Sequence, residues 1–207
     1  SVRQLTPQIR VDTTLQSPQA IPRCSFSVHI LYFCSMNIEY RHLLPAGYDP
    51  ASRVWIFQSS NLFTPAELPE VENMLNDFSK QWLSHGADVK NFAAVFFNRF
   101  IILMADDTHT HVGGCSTDSM QRFIKKMEAQ FGISLFDRQT LAFVINDEIQ
   151  TLPMRELASA VENNFITADT LYFNNTVLTR KDLEDNWLIK VKDSWLARKP
   201  TFPLAAH

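Results

Sequence analysis

The chain has few of the residues on which several common functional sites depend. It has five glycines and three cysteines among 207 residues. No glycine precedes the Lys-Ser/Thr pair of a P-loop, whose backbone amides and lysine hold nucleotide phosphates. The cysteines are odd in number and none forms a Cys-x-x-Cys pair, so we expect no disulfide framework and a reduced, cytoplasmic setting.

A strong charge of either sign and a long apolar run are also lacking. The formal net charge of −3 gives no basic surface for nucleic acid, so we expect no nucleic-acid partner. The most apolar stretch, Phe92–Ala105, is interrupted by Asn98 and Arg99 and is too short to cross a membrane. A content of 45% hydrophobic residues is enough for a sizeable core. We therefore expect a globular protein whose partner, if it has one, is another protein or a second copy of itself.

The first 35 residues differ in composition from the rest. They are rich in Gln, Ser and Thr, contain Pro7, Pro18 and Pro22, and show no sustained hydrophobic period. We predict that residues 1–35 are a leader outside the folded domain, either disordered or not native, with Met36 as the natural start. A genuine flexible arm is the alternative.

The body of the chain predicts an α+β fold. Strand patterns cover residues 53–58, 92–97, 100–105 and 141–145, and a fifth strand is predicted at 148–151. One helix begins with the capping signal Thr64-Pro65-Ala66-Glu67 and ends at Gly86, and a second covers about 116–130 before Gly132. The order is typical of a ferredoxin-like βαββαβ unit, an antiparallel sheet with helices on one face. We assign this domain to residues 36–151.

The last part of the chain, residues 152–207, predicts a small α+β appendage. It shows a helix over about 153–163, a strand over 170–173 and a short helix opened by Thr179. Trp187 and Trp195 are predicted to anchor the appendage on the main domain.

The start of the second helix carries the candidate reactive group. Cys115 follows Gly113 and Gly114 where the first unpaired N–H groups of a helix point. The positive end of the helix dipole favours the thiolate over the thiol. The simpler interpretation is structural: a glycine turn, Ser116 as N-cap, and a cysteine that packs as a small apolar residue.

A histidine and a carboxylate complete the hypothetical catalytic set. In the predicted topology the end of the first helix and the start of the second lie at the same edge of the sheet. His85 would then face Cys115 as a base, and Asp106 or Asp107 could orient its imidazole. His at a helix C-terminus is also favoured by the helix dipole alone.

The same turn is a candidate anion site. The backbone N–H groups of Gly113, Gly114, Ser116 and Thr117 could stabilise an oxyanion or hold a phosphate. Nearby aspartates oppose a phosphate, and no lysine follows the glycines.

Metal binding is a weaker hypothesis. His109 and His111 are plausible ligand types, but no second ligand pair has the spacing of a structural site. We therefore predict no metal and no cofactor.

Six segments carry a resemblance to a known family. They are Val54-Trp55-Ile56-Phe57-Gln58-Ser59, Trp82-Leu83-Ser84-His85-Gly86, Arg99-Phe100-Ile101-Ile102-Leu103-Met104, Gly114-Cys115-Ser116-Thr117-Asp118, Phe173-Asn174-Asn175 and Lys192-Asp193-Ser194-Trp195. From residue 36 to about residue 198 the chain resembles a small family of uncharacterised bacterial proteins that often carry the label ABC transporter ATPase. That label implies nucleotide hydrolysis, whereas the missing P-loop leads us to expect no P-loop ATPase activity.

Two functional hypotheses follow. The first and favoured one is a non-catalytic binding module that uses its ferredoxin-like sheet and its Trp-rich appendage to bind a protein partner or itself. The alternative is a thiol-dependent enzyme or redox sensor that uses Cys115 with His85.

Overall fold

The structure is a computed structural model that describes residues 38–84, 87–106, 108 and 113–199. The predicted leader at 1–35 lies outside the described residues, and so do His85, Gly86 and Asp107. Everything described belongs to a single compact unit that covers residues 35–207.

Strands and helices are mixed along the chain, as the α+β prediction requires. The strands are β1 (Arg53–Gln58), β2 (Leu83–Ser84), β3 (Ala87–Asp88), β4 (Asn91–Phe96), β5 (Phe100–Ala105), β6 (Thr140–Ile145), β7 (Glu148–Pro153), β8 (Leu171–Phe173) and β9 (Leu188–Lys190). The α-helices are α1 (Leu68–Gln81), α2 (Gly114–Phe131), α3 (Leu157–Glu162) and α4 (Arg180–Asn186). The predicted α+β class is confirmed.

The strands form two main antiparallel sheets. The first has the order β1-β5-β4 and the second has the order β7-β6-β8-β9, while β2 and β3 form a separate short hairpin. The β4–β5 hairpin turns through Phe97 and Asn98 at φ 52° and 51°, and the β6–β7 hairpin turns through Asn146 and Asp147 at φ 52° and 60°. Two consecutive residues with positive φ give the twist that suits a tight hairpin, and Asn and Asp tolerate it.

The ferredoxin-like strand order is not confirmed. The first three predicted strands form one sheet, but the fourth, β6, pairs with β7 and β8 instead of β1. The outer edge of β1 is already occupied by a later segment: Val54 N donates to Leu178 O at 2.9 Å, and Arg180 N donates to Ser52 O at 2.8 Å. A fourth strand therefore cannot pair with that edge of β1.

A separate C-terminal appendage is not confirmed either. The second sheet combines β6 and β7, which begin before residue 152, with β8 and β9, which lie after it. The strand β9 has no counterpart in the predictions. The helix expected at 153–163 is a short 3-10 helix, Met154–Glu156, followed by α3. Thr179 caps α4 as predicted, because its side chain accepts a hydrogen bond from Asp182 N.

The first sheet has apolar layers on both of its faces. All six residues of β5 are buried, which explains why its sequence is apolar without alternation. One face packs on α1 and α2 through residues that include Phe57, Val71, Leu75, Trp82, Ile101, Leu103, Met120, Ile124 and Met127. The other face packs on the second sheet and α4 through residues that include Ile56, Phe100, Ile102, Met104, Ala142, Phe173, Leu183 and Trp187. The far face of the second sheet packs on α3.

Trp187 is the centre of the layer between the sheets. It is fully buried, and it shares an apolar cluster with residues of both sheets. Its indole Nε1 donates to Asn175 Oδ1 at 3.0 Å. Its ring meets those of Tyr40, Phe96, Phe97, Phe100 and Phe173 at centroid separations of 4.7 to 5.9 Å.

The helix ends follow the predictions in part. The Thr64–Glu67 capping box forms, with Thr64 N donating to Glu67 Oε2 at 2.8 Å, but it makes a turn before α1 begins at Leu68. The prediction that α1 continues to Gly86 is wrong. It ends at Gln81, because Trp82 is extended and its indole is buried against the start of α2. Gly132 ends α2 at φ 63°, as predicted.

In the part of the chain that the structure describes, every helix is too short or too polar to cross a membrane.

Replacement of Trp187 tests the interlayer core. We expect Trp187→Ala to lower the free energy of unfolding by about 3 to 5 kcal/mol, because it empties the centre of a fully buried cluster. Leu178→Ala is the control. Leu178 is 70% exposed, so its loss should change stability by about 0.5 kcal/mol or less. Urea denaturation measures both variants, and equal stabilities would contradict the role given to Trp187.

Candidate functional site

Cys115 lies in the first turn of α2 with an exposed side chain. The N-cap of that 18-residue helix is Gly113, whose φ of −83° and ψ of −173° are open to any residue. The interpretation of Ser116 as N-cap is wrong. It lies inside the first turn and is only 1% exposed. The exposed side chain of Cys115 does not fit the interpretation of a packed small apolar residue, and a reactive role for its thiol stays a prediction.

The predicted anion-binding residues take part in contacts within the fold. Thr117 Oγ1 donates to Gly113 O at 3.2 Å, one turn back along α2. Ser116 O accepts hydrogen bonds from Trp82 Nε1 at 3.1 Å and from Ser119 Oγ at 2.8 Å. A Cβ at Gly114 would meet no atom within 4 Å, so close packing does not require glycine there. Anion binding by this turn stays a prediction.

The bond between Trp82 and Ser116 joins the end of α1 to the start of α2. The catalytic hypothesis requires the end of the first helix to lie close to the start of the second, and this bond shows that they are close. His85 lies outside the described residues, so its distance from Cys115 is not defined. The pairing of His85 with Cys115 stays a prediction.

Asp106 follows β5 and is almost completely buried, with 3% of its surface exposed. Its Oδ2 accepts from Lys90 Nζ at 2.8 Å, and its Oδ1 accepts from Thr108 N at 3.1 Å and Thr108 Oγ1 at 2.5 Å. The hydrogen bonds from Lys90 and Thr108 hold the pKa of Asp106 well below its usual range. Both oxygens are therefore engaged in fixing the ends of β4 and β5.

Lys90 extends this anchor to the loop before β1. Its Nζ also donates to Gly47 O at 2.5 Å and lies 4.6 Å from the centre of the Tyr48 ring. Tyr48 Oη in turn donates to Asn91 O at 2.6 Å. The beginning of β4 is thus held by two neighbouring segments of chain, the loop before β1 and the residues after β5.

Metal-ligating residues do not cluster in the described ranges. No group of three or more His, Cys, Asp or Glu side chains there is placed to hold a metal ion. The two histidines considered as ligands, His109 and His111, lie outside those ranges.

A small cavity of mixed polar and apolar lining lies at the junction of the two sheets. Its volume is about 90 Å³, well below the roughly 300 to 1,000 Å³ of typical ligand pockets. Gln58 bridges its wall, with Nε2 donating to Thr140 O at 3.1 Å and Oε1 accepting from Asn175 Nδ2 at 2.9 Å. Burial raises the pKa of Tyr172, another lining residue, to about 12. We assign this cavity a structural role.

The outer edge of β4 is a feature that the sequence did not reveal. In the described part of the chain β4 pairs only with β5. Asp106 N donates to Lys90 O at 2.9 Å, so the alternation along the strand turns the N–H and C=O groups of Ala93 and Val95 away from β5. Both residues are half-buried. Two donors and two acceptors therefore face outward.

A groove of about 230 Å³ runs between this edge and α1. It is lined by Glu72, Leu75 and Asn76 of α1 and by residues 93–95 of β4. The helix is fixed over the strand at one end, where Asn91 Nδ2 donates to Ser79 O at 2.9 Å. The one sequence feature that points to this binding edge is that β4 contains neither a charged residue nor proline. No local pattern, however, indicates which strand of a sheet lies at its edge.

Comparison with protein-family models, with curated proteins and with solved structures finds no significant match. The case for function therefore depends on the geometry of this chain.

The Asp106 anchor predicts a pH dependence. Because the pKa of Asp106 is lower in the folded chain than in the unfolded one, its contribution to stability is complete above about pH 4 and is lost as the pH falls. We expect Asp106→Asn to lower the free energy of unfolding at pH 7 by about 1 to 3 kcal/mol and to flatten its fall below about pH 4.

The matched control is Asp118→Asn, which alters an exposed carboxylate on α2. Chemical denaturation from pH 7 down to about pH 2 gives the two curves. A slope unchanged in Asp106→Asn would contradict the anchor.

Proposed function

We propose that this chain is a non-catalytic interaction module that binds an extended segment of a partner protein along the outer edge of β4. The observation that carries the proposal is the set of outward backbone groups on Ala93 and Val95 beside the α1 groove. An extended segment can pair with such an edge as an added strand, gaining main-chain hydrogen bonds while the groove selects side chains. The element order β1, α1, β4, β5, α2 is that of the first five elements of a ferredoxin-like unit, and it supports the proposal that such a scaffold carries the binding edge.

The other sheet edges are protected in ways that β4 is not. The edge of β1 is covered by residues 178–180. The edge of β7 carries Glu148 and ends at Pro153, and β9 is three residues long and ends at Lys190. Charge, proline and shortness are the usual means by which proteins prevent unwanted pairing at an edge. The six residues of β4 have neither charge nor proline.

The position of α1 favours a partner segment over a second copy of the chain. Neighbouring strands lie about 4.8 Å apart, whereas packed helices need about 8 to 10 Å. Because α1 lies over β4, antiparallel pairing of two β4 edges would bring the two α1 helices too close together. A single extended segment brings no helix.

Proline substitution on the free edge tests the proposal. Peptides are first selected on the immobilised full chain from a displayed library of random seven-residue sequences. We expect Ala93→Pro to weaken their binding by about tenfold or more, because it removes an outward N–H and places a ring on the edge. The ladder to β5 should persist, since the N–H of Ala93 points away from it.

Thr151→Pro is the matched control. Met154 N donates to Gln139 O at 2.7 Å, so alternation turns the N–H of Thr151 outward on β7. Fluorescence anisotropy measures peptide affinity, and circular dichroism checks the fold of both variants. N-methylation of the selected peptides tests the same hydrogen bonds with the protein unaltered. Failure to select any peptide, or equal binding by Ala93→Pro and wild type, would overturn the proposal.

Thiol chemistry at Cys115 is the second candidate function. The observation in its favour is the exposed side chain in the first turn of an 18-residue helix, whose end attracts negative charge. His85 as the base and Asp106 as its orienting group belong to this proposal. The engaged oxygens of Asp106 count against its part in it.

Alkylation distinguishes the two functions. In a Cys24→Ser, Cys34→Ser background, Cys115 should react with iodoacetamide in the folded state because it is exposed. Rapid reaction at pH 6 that is lost in Cys115→Ser and slowed in His85→Ala would support a catalytic or sensing thiol. An unchanged rate in His85→Ala would remove His85 from the site. Mass spectrometry of the labelled chain gives the rates.

A further inference from the structure

The groove beside β4 has a chemical bias that narrows the class of partner. Glu72 is exposed on its α1 wall and, in the described part of the chain, has no ion-pair or hydrogen-bond partner. Asn76 lies one turn further along the same wall and is also exposed. Among the residues that line the groove, Glu72 alone carries a formal charge. The groove therefore presents one unbalanced negative charge beside neutral polar and apolar groups.

The two ends of the edge limit the length of an added strand. At the start of β4, Asn91 O is occupied by Tyr48 Oη. At its end the backbone leaves the strand at Phe97, where φ is 52°. Only Ala93 and Val95 present complete outward pairs of donors and acceptors between these limits. A bound segment can therefore form a short ladder of about four main-chain hydrogen bonds.

The two faces of the β4 edge favour different side chains on a bound strand. Ala93 and Val95 pack toward the helix-covered core, while Phe92 and Ala94 pack toward the core between the sheets. Side chains of an added strand alternate in the same way. The face beside α1 meets Glu72, and the opposite face continues the apolar surface of Phe92. An alternating pattern of basic and apolar residues satisfies both faces.

We infer that the partner is a short extended peptide with a Lys or Arg on the side facing α1, aligned by Glu72. This inference rests on the proposed function and names the ligand class of the same edge. The formal net charge of −3 acts in the same direction, since it attracts cationic segments over a longer range. Main-chain pairing provides the general affinity, and the ion pair selects among sequences.

Three probe peptides test the inference on the full chain. They are acetyl-Thr-Val-Lys-Val-Lys-Val-Thr-amide and the two analogues in which Gln or Glu replaces both Lys residues. We expect the Lys peptide to bind most tightly and the Glu peptide least tightly. Glu72→Gln should weaken the Lys peptide by about three- to fivefold, as for an exposed ion pair, and leave the Gln peptide unchanged. The advantage of the Lys peptide should also shrink as salt is added.

Glu148→Gln is the control because it neutralises an exposed carboxylate on β7, away from the groove. If all three peptides bind equally and Ala93→Pro abolishes binding, strand addition stands and the preference for basic peptides is overturned. If the Lys peptide binds Ala93→Pro as well as wild type, both proposals fail. Sedimentation velocity is run in parallel, and a dimer that dissociates in Ala93→Pro would identify a second copy as the occupant and overturn the inference.

Discussion

The fold depends on covering both faces of the first sheet. Every side chain of β5 is buried, and each face of the sheet contributes to a different apolar cluster. An uncovered apolar face of this size would be costly in water, so two helices on one side are not sufficient. The second sheet provides the other cover, which makes the C-terminal part of the chain necessary to the core. Trp187 fills the space between the two sheets.

A polar link fixes the register of this stacked arrangement. Gln58, at the end of β1, bonds to the start of β6 and to Asn175, and Asn175 accepts from the indole of Trp187. Buried polar groups of this kind are stable when each finds a partner, and they favour one packing over others. The faces of the sheets are covered and the edge of β1 is occupied, so the remaining exposed edges of the two sheets are those of β4, β7 and β9. Among these edge strands in the described residues, β4 is the one that has no charged residue and no proline and is longer than three residues.

Local patterns in the sequence predicted the elements better than their assembly. The strand at 53–58, the β4–β5 hairpin, the Gly132 helix end and the Thr179 cap depend on neighbouring residues, and all four are present. The pairing of β6 with β8 depends on contacts across the chain that no local period encodes. The end of α1 was missed because the burial of Trp82 overrides a glycine signal four residues later. Of the candidate site, the place of Cys115 in the first turn of α2 could be predicted from the sequence, whereas the edge position of β4 is a property of the whole sheet.

The central claim is that the backbone of Ala93 and Val95 is free in the isolated chain and paired in the complex. Hydrogen exchange followed by NMR, residue by residue along β4 and with and without a selected peptide, tests it most directly. The account predicts rapid exchange at Ala93 and Val95 in the free chain, slow exchange at Phe92 and Ala94, and slowing at Ala93 and Val95 when the peptide binds. Equal protection of all four amides in the free chain, or no change on peptide binding, would contradict it.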